Sequence, residues 1–295
     1  MNDISQNDTR KVFDTLVLSG GAYLGFYELG ALQSLHEQIQ RDGEMTVFQF
    51  RKIRATSVGS LCATIFSLVL SNQISFKDIM DYAVGRPWHK TQMEFSHQKQ
   101  GLLDRSFFVN ILEPVFSSLD IDINISLEQF SLLCDISLEF FATNVNTTNI
   151  VEFTNERNGD ISLIDAIHAS SAIPFIFTPV EYDGELYADG GFIYNYPCND
   201  CCQNTTFGIR FEKKNAIITP STSMFKYGTT FLHNLLNRSG ISGTLKHQLN
   251  LSCRSQNGDD MKAALLSKSM REKMIWQGYQ QATEQLKPYA IFSTN

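Results

Sequence analysis

Two short turns, each placed between a strand-like run and an apolar helical pattern, constrain the fold of this chain most strongly. The run Phe13–Leu18 is rich in β-forming side chains and is followed by a glycine turn at residues 19–21, after which apolar residues recur at helical spacing. Residues 47–54 alternate in part, and the turn at residues 55–59 again leads into helical spacing. Two such units in succession predict a parallel or mostly parallel sheet covered by helices, with its functional site at the carboxyl ends of the strands.

The remaining patterns predict one domain with a helical tail. Further strands are predicted over residues 137–142, 150–153 and 206–211, a hairpin over residues 180–187, and a helix over residues 163–169. Between residues 261 and 286, apolar side chains spaced by three or four predict an amphipathic helix, and we favour packing on the domain over contact with lipid. The stretch from Trp88 to His97 is either a surface insertion, which we favour, or a lid over a pocket.

Composition and charge exclude several classes of protein. The 295 residues include 24 Lys and Arg against 31 Asp and Glu, a formal net charge of −7, so no nucleic-acid partner is indicated. The longest apolar stretch, residues 61–70, is far shorter than the roughly 20 residues needed to cross a bilayer. The first ten residues have no apolar core of the kind a signal peptide needs, so we expect a cytoplasmic location.

Cysteine usage points to free thiols. Six cysteines in a chain of this length do not indicate a disulfide framework. Cys198, Cys201 and Cys202 have a spacing similar to that of metal ligands, but no His or second Cys pair lies nearby. We therefore expect neither a metal site nor a cofactor.

The first segment that could carry chemistry is the glycine turn that contains Gly20, Gly21, Ala22 and Gly25. Backbone N–H groups in such a loop, at the N-terminus of a helix, can hold a phosphate or an oxyanion. As a dinucleotide-binding fingerprint the loop fails, because Ala22 stands at the middle glycine position. An ordinary structural turn is an equally good interpretation.

The second segment, from Ala55 through Ser57 to Gly59, has the pattern of a G-x-S-x-G nucleophile elbow with alanine at the first glycine. Small residues two places either side of the serine let strand and helix backbones approach while the hydroxyl is exposed. Because serine is also a favoured helix N-cap, the pattern alone leaves the elbow and the cap equally open.

The third segment, Asp189-Gly190-Gly191, follows a predicted strand. Asp-Gly is common in turns. The Asp189 carboxylate would equally serve as a general base if the fold placed it within hydrogen-bond reach of a serine hydroxyl.

Taken together and in this order, the three segments resemble the patatin-like phospholipase family. The likeness is carried by residues 15–32 (TLVLSGGAYLGFYELGAL), 55–59 (ATSVG), 170–179 (SSAIPFIFTP) and 189–197 (DGGFIYNYP). Weaker likenesses at residues 101–104 and 141–144 extend it over about residues 13–212. We expect residues 213–295 to form a mainly helical C-terminal extension packed on the core.

The resemblance implies a three-layer α/β/α sandwich, distinct from the α/β-hydrolase fold, and phospholipase A-type cleavage of lipid acyl esters without a catalytic histidine. It makes Ser57 the nucleophile and Asp189 its base, and it implies transient peripheral contact with a membrane. The backbone N–H groups of Gly20, Gly21 and Ala22 would form the oxyanion hole, with Gly25, Ala55, Gly59, Gly190 and Gly191 as supporting motif residues.

Three departures from the family pattern surround the same site: Ala22 replaces a third glycine, Leu24 replaces Arg or Lys, and Ala55 replaces the first glycine of the elbow. They leave open a weakened enzyme or a lipid-binding module, although both members of the Ser–Asp pair are present, which favours activity. The rival enzyme is an α/β-hydrolase with a Ser-His-Asp triad that uses His168, His233 or His247.

Overall fold

The computed structural model describes residues 11–88, 100–212, 243–253 and 263–291, together with residues 219, 220, 222, 227, 228, 230, 231 and 234. The strands are β1 (Phe13–Leu18), β2 (Phe48–Thr56), β3 (Gly101–Leu103), β4 (Ser137–Asn144), β5 (Ile150–Thr154), β6 (Phe175–Phe177), β7 (Val180–Tyr182), β8 (Glu185–Asp189), β9 (Thr206–Phe211) and β10 (Gln248–Leu251). The helices are α1 (Gly25–Asp42), α2 (Val58–Leu70), α3 (Phe76–Gly85), α4 (Arg105–Ser118), α5 (Leu127–Cys134), α6 (Leu163–Ser171), α7 (Gly191–Tyr194) and α8 (Lys268–Leu286).

The central sheet has eight strands, with β10, β9, β1, β2, β4, β8 and β7 in spatial order and β5 paired with β4. The pairs from β10 to β4 are parallel, whereas β5, β8 and β7 join in antiparallel fashion. The predicted α/β architecture with a mostly parallel sheet and packed helices is confirmed. It forms because the strand-turn-helix units at the start of the chain bury apolar faces from both elements.

The register of the sheet places the ends of β2 and β8 beside the same residues of β4. Strand β4 lies between β2 and β8, with Thr56 of β2 opposite Phe141 and with Asp189 of β8 opposite Ala142. Residue 57 begins the turn after β2, and Asp189 ends β8. The two positions therefore meet on either side of the same stretch of β4.

The C-terminal residues take part in the main sheet and core. Strand β10 pairs in parallel with β9, with Leu249 opposite Ile209. The sequence patterns do not predict this strand, because its four residues are too few to show a clear alternation of apolar and polar side chains. The ring of Tyr289 joins a buried aromatic cluster with Phe13 and Phe207.

Helix α8 packs closely against α1 through two glycines. A β-carbon on Gly30 of α1 would lie 1.9 Å from the carbonyl oxygen of Ile275, and one on Gly278 would lie 1.9 Å from that of Tyr27. The predicted amphipathic helix thus packs on the domain from Lys268 onward, while residues 261 and 262 lie outside the described residues.

Four elements that the sequence patterns do not predict, α3, β3, α4 and α5, lie between residues 76 and 134. Trp88 packs edge-on against Phe26 of α1, and its indole N–H donates to the carbonyl of Ala83. Residues 89–97, to which the question of a lid or an insertion mainly applies, lie outside the described residues. Among the helices described, none combines the length and apolar character needed to cross a bilayer.

Candidate active site

Ser57 lies in the turn between β2 and α2 with a backbone conformation that non-glycine residues rarely adopt, φ 56° and ψ −130°. It occupies the N-cap position of α2, but its side chain makes no capping hydrogen bond. The hydroxyl instead donates to Oδ2 of Asp189 across 2.7 Å. The side chain of this serine therefore does not act as a helix cap.

Small residues allow this sharp turn. A β-carbon on Gly59 would lie 3.0 Å from the carbonyl oxygens of both Leu18 and Ser19. Ala55 is fully buried in β2, where it is paired with Leu18 of β1 and Phe140 of β4. The spacing that the sequence suggested for an elbow thus corresponds to a real close approach between β1 and α2.

Asp189 is buried at the end of β8 and is held through both carboxyl oxygens. Oδ2 accepts from Ser57, and Oδ1 accepts the N–H of Gly191 across 2.6 Å. Burial raises the pKa of Asp189 to about 6, although these two hydrogen bonds oppose the rise. Asp189 is therefore mostly a carboxylate at neutral pH and can accept a proton.

Gly190 and Gly191 let the chain turn immediately after this aspartate. A β-carbon on Gly190 would lie 2.1 Å from the carbonyl oxygen of Phe141, which no side chain could tolerate. One on Gly191 would lie 2.8 Å from Oδ1 of Asp189, the oxygen that accepts from the N–H of Gly191. Both glycines are required by close contacts rather than by an unusual φ.

The glycine loop lies beside this pair, since a β-carbon on Gly20 would lie 3.0 Å from Cβ of Ser57. Ala22 has φ 50°, the left-handed conformation that glycine adopts without cost. Leu24 is buried in the hydrophobic core, so the position where the family has a basic residue is here a packing position. A 3-10 turn over Ala22–Leu24 then leads into α1, beginning at Gly25.

One of the three N–H groups predicted for the oxyanion hole is already engaged. The N–H of Gly20 donates to the carbonyl oxygen of Asn195 across 3.0 Å, so it is not free to bind a substrate oxygen. For Gly21 and Ala22, no acceptor occurs within the part of the chain that the structure describes. The oxyanion hole stays a prediction, and of its three residues only Gly21 and Ala22 have N–H groups without an acceptor among the described residues.

Asn195 and Ser170 support the site, and neither was singled out from the sequence. The side-chain amide of Asn195 donates to the carbonyl of Gly20 across 3.1 Å, so this residue holds both ends of Gly20. The hydroxyl of Ser170 accepts the N–H of Ser57 across 2.9 Å and donates to the carbonyl of Phe141. Both residues lie inside the segments that carry the family resemblance, which is the signal that could have identified them.

The described histidines lie in other surroundings. His168 is buried against the rings of Phe108 and Phe177, and burial lowers its pKa to about 4. His247 contacts Tyr289 and the ring of Phe13. Phe13 begins β1, and Ser57 follows the end of the parallel neighbour β2, so His247 lies at the opposite end of these strands from Ser57. His233 lies outside the described residues. Neither His168 nor His247 contacts the hydroxyl of Ser57, which donates to Asp189.

Across the ranges that the structure covers, no group of three His, Cys, Asp or Glu side chains is arranged to hold a metal ion. Cys198, Cys201 and Cys202 are free thiols in the loop that precedes β9.

Comparison with known proteins gives the family to which the chain belongs. The sequence profile of the patatin-like phospholipase family matches residues 16–201, a range that contains the glycine loop, Ser57 and Asp189. The chain belongs to the patatin-like phospholipase family. Membership supports a lipid hydrolase activity as the class of reaction.

Two viral proteins are among the relatives of this chain. A protein of invertebrate iridescent virus 6, named probable lipid hydrolase 463L, is 26% identical over 234 residues, which are 79% of this chain and 77% of that protein. The uncharacterized protein R571 of Acanthamoeba polyphaga mimivirus is 27% identical over 206 residues, which are 68% of this chain and 66% of that protein.

Among solved structures, VipD from Legionella pneumophila has a similar fold. The TM-score is 0.53 with 15% sequence identity, and the match covers 97% of this chain and 70% of that chain. This likeness shows a shared fold.

Proposed function

We propose that this patatin-like protein is a lipid acyl hydrolase of phospholipase A type, with Ser57 as nucleophile and Asp189 as general base. The observation that carries the proposal is the 2.7 Å hydrogen bond from the Ser57 hydroxyl to a buried carboxylate. A serine hydroxyl is a weak nucleophile unless an adjacent base removes its proton as it attacks. Asp189, with a pKa of about 6, is ionised at neutral pH and can do so.

The reaction proceeds in two halves. The Ser57 oxygen attacks the ester carbonyl carbon while Asp189 takes the hydroxyl proton, and the resulting oxyanion accepts the N–H groups of Gly21 and Ala22. The C–O bond to the alcohol then breaks, Asp189 returns its proton to the leaving oxygen, and the acyl group remains on Ser57. In the second half, Asp189 takes a proton from a water molecule that attacks the acyl carbonyl carbon; the bond from that carbon to the Ser57 oxygen then breaks, Asp189 returns the proton to the serine oxygen, and the fatty acid leaves.

The supporting contacts hold these groups in place before substrate binds. Asn195 fixes the glycine loop through Gly20, and Ser170 fixes the backbone of Ser57. Donors fixed in advance stabilise a developing oxyanion because they need no reorganisation during the reaction, and loss of one such donor typically costs about 10²–10³ in rate. The substrate is a lipid, and the protein meets the membrane transiently and peripherally.

Labelling with an active-site-directed fluorophosphonate, followed by peptide mass spectrometry, tests the nucleophile. We expect modification at Ser57 in the native protein and none in the Ser57→Ala variant. The matched control is Ser71→Ala, which removes a hydroxyl at the other end of α2 and leaves labelling intact. Labelling at another serine, or none in the native protein, would reject Ser57 as the nucleophile.

Release of fatty acid from phosphatidylcholine vesicles and from a short-chain p-nitrophenyl ester tests the reaction. We expect Ser57→Ala and Asp189→Asn each to abolish release from both substrates. His168→Asn and His247→Asn test the rival triad, and either one causing a loss near 10⁴ while Asp189→Asn stays active would overturn the proposed base. If the native protein binds vesicles but cleaves neither ester, it is a lipid-binding module.

A further inference from the structure

Phe175 combines large exposure with a strained backbone. Its side chain is 71% exposed, and its φ is 70°. The N–H of Ile176 donates to the carbonyl of Ile173 across 3.1 Å, which closes a four-residue turn. Pro174 occupies the second position of this turn and Phe175 the third, as in a type II turn, where a positive φ at the third position favours glycine.

An exposed phenylalanine at this position is costly. The left-handed conformation disfavours a bulky side chain, and a glycine would form the same turn without strain. Because most of the ring faces solvent, burial within this protein returns little of that cost. A strained residue that the surrounding packing does not explain is grounds for a functional hypothesis.

The turn is joined directly to the proposed catalytic groups. It follows α6, whose Ser170 accepts the N–H of Ser57, and the carbonyl of Ala172 accepts the N–H of Asp189 across 3.0 Å. Phe175 is three residues beyond Ala172, a span of at most about 11 Å of extended chain. The backbone of Phe175 thus lies within that span of the residue that binds the main chain of Asp189.

The turn is also held firmly and carries no charge. The N–H of Phe177 donates to the carbonyl of Ile173, and β6 pairs with β3, so the tip is anchored on both sides. No charged residue occurs between residues 169 and 180. Since the chain has a net charge of −7, general electrostatic attraction to anionic lipid does not favour its approach to a membrane.

We propose that the turn at residues 173–176 is a lipid-surface contact, and that Phe175 inserts its ring among the lipids to bring the substrate ester to Ser57. The occupant is a lipid surface because an apolar aromatic tip without charge partitions favourably into the boundary between headgroups and acyl chains. This inference rests on the proposed function, since a lipid substrate is what the turn would approach.

The test compares Phe175→Gly with Leu132→Gly, a matched control that removes an apolar side chain 75% exposed on α5. Binding is measured by co-sedimentation with phosphatidylcholine vesicles, in the Ser57→Ala background so that no lipid is consumed. Turnover is measured in the active background on the same vesicles and on a soluble short-chain ester.

We expect Phe175→Gly to weaken vesicle binding by ~10-fold and to lower the ratio of vesicle to soluble-ester turnover by a similar factor. Its urea midpoint rises, because glycine relieves the left-handed strain. Phe175→Leu keeps most of the binding, and Leu132→Gly changes neither binding nor that ratio. Neutral and anionic vesicles give similar results, since the contact is apolar.

Unchanged vesicle binding in Phe175→Gly would overturn the inference, as would an equal loss of binding in Leu132→Gly. A fall in soluble-ester turnover as large as that on vesicles would assign Phe175 to the architecture of the site instead. Failure of the proposed function is distinguishable, because a native protein that cleaves neither ester can still bind vesicles through Phe175.

Discussion

The hydroxyl of Ser57 and the carboxylate of Asp189 are 2.7 Å apart, although 132 positions separate them in the chain. Strand β4 accounts for the contact, because it pairs with β2 on one side and with β8 on the other. The second carboxyl oxygen of Asp189 is held by the N–H of Gly191, so the orientation of the carboxylate is fixed as well as its distance.

The rate of ester hydrolysis should follow the ionisation of Asp189. Its pKa of about 6 means that the proton-accepting form is lost as the pH falls below that value. We expect kcat/KM on a soluble ester to fall about tenfold for each pH unit well below 6 and to level off above about 7. A pH–rate series from 4.5 to 8 measures this, and a rate that stays constant down to pH 5 would contradict a role for Asp189 as base.

Asn195 should affect the rate through the glycine loop. Asn195→Ala removes the side-chain bond to Gly20, and loss of a partly buried hydrogen bond of about 1–3 kcal/mol corresponds to a fall of roughly 5- to 150-fold in kcat. Asn195→Asp also introduces a carboxylate near that of Asp189. Oδ1 of Asn195 and Oδ1 of Asp189 each lie 2.8 Å from the position that a β-carbon of Gly191 would occupy.

Asn195→Asp should therefore raise the pKa of Asp189 and move the pH–rate midpoint upward, whereas Asn195→Ala lowers the rate without moving the midpoint. Asn146→Asp, in the exposed turn before β5, is the control and changes neither quantity. Native rates in both Asn195 variants would show that this residue contributes only to folding, and an unmoved midpoint in Asn195→Asp would contradict an effect of this side chain on Asp189.

Ala22→Gly should stabilise the protein. Alanine at φ 50° costs about 1–2 kcal/mol relative to glycine, and the extra freedom of glycine in the unfolded chain offsets part of that gain. We expect the free energy of unfolding in urea to rise by up to about 1 kcal/mol, with turnover retained or increased.

Thr148→Gly relieves a similar left-handed strain at φ 56° in an exposed turn outside the glycine loop, and so serves as the control that changes stability without changing turnover. If Ala22→Gly stabilises the protein but abolishes turnover, the methyl group of Ala22 is needed by the site itself.

Glu28 should make the stability of the protein depend on pH. It is fully buried in α1, and the only opposing effect on its carboxyl group among the described residues is a weak contact with the thiol of Cys62. Burial raises its pKa from 4.5 to about 8, so the folded protein holds a proton that the unfolded chain releases. This contribution to stability is complete below pH 4.5 and is lost as the pH rises to about 8.

Glutamine does not ionise, so Glu28→Gln should not lose stability as the pH rises. We expect the difference in free energy of unfolding between Glu28→Gln and the native protein to grow in favour of the variant by a few kcal/mol from pH 5 to pH 8.5. Thermal unfolding at several pH values measures the difference. Glu113→Gln, on the exposed side of α4, should show no such trend. Parallel pH profiles for Glu28→Gln and the native protein would mean that Glu28 ionises as freely in the fold as in the unfolded chain.

Local sequence patterns determined the elements and the requirements at individual turns. Apolar spacing alone indicates the first two strand-turn-helix units, and small residues flank Ser57 because strand and helix backbones approach there. The same reasoning anticipates a penalty if Ala22 is left-handed, which its φ of 50° now realises. These features depend on neighbours in the chain, so a linear pattern can carry them.

Tertiary structure alone decided which groups meet. The pairing of β4 with both β2 and β8 brings Asp189 to Ser57, and the main-chain bond to Asn195 removes the N–H of Gly20 from the predicted oxyanion hole. The full burial of Glu28 and the exposure of Phe175 are likewise decided by the tertiary structure. Contacts of this kind join residues far apart in the chain, and strand register and the packing of whole elements set them, which no local pattern of side chains specifies.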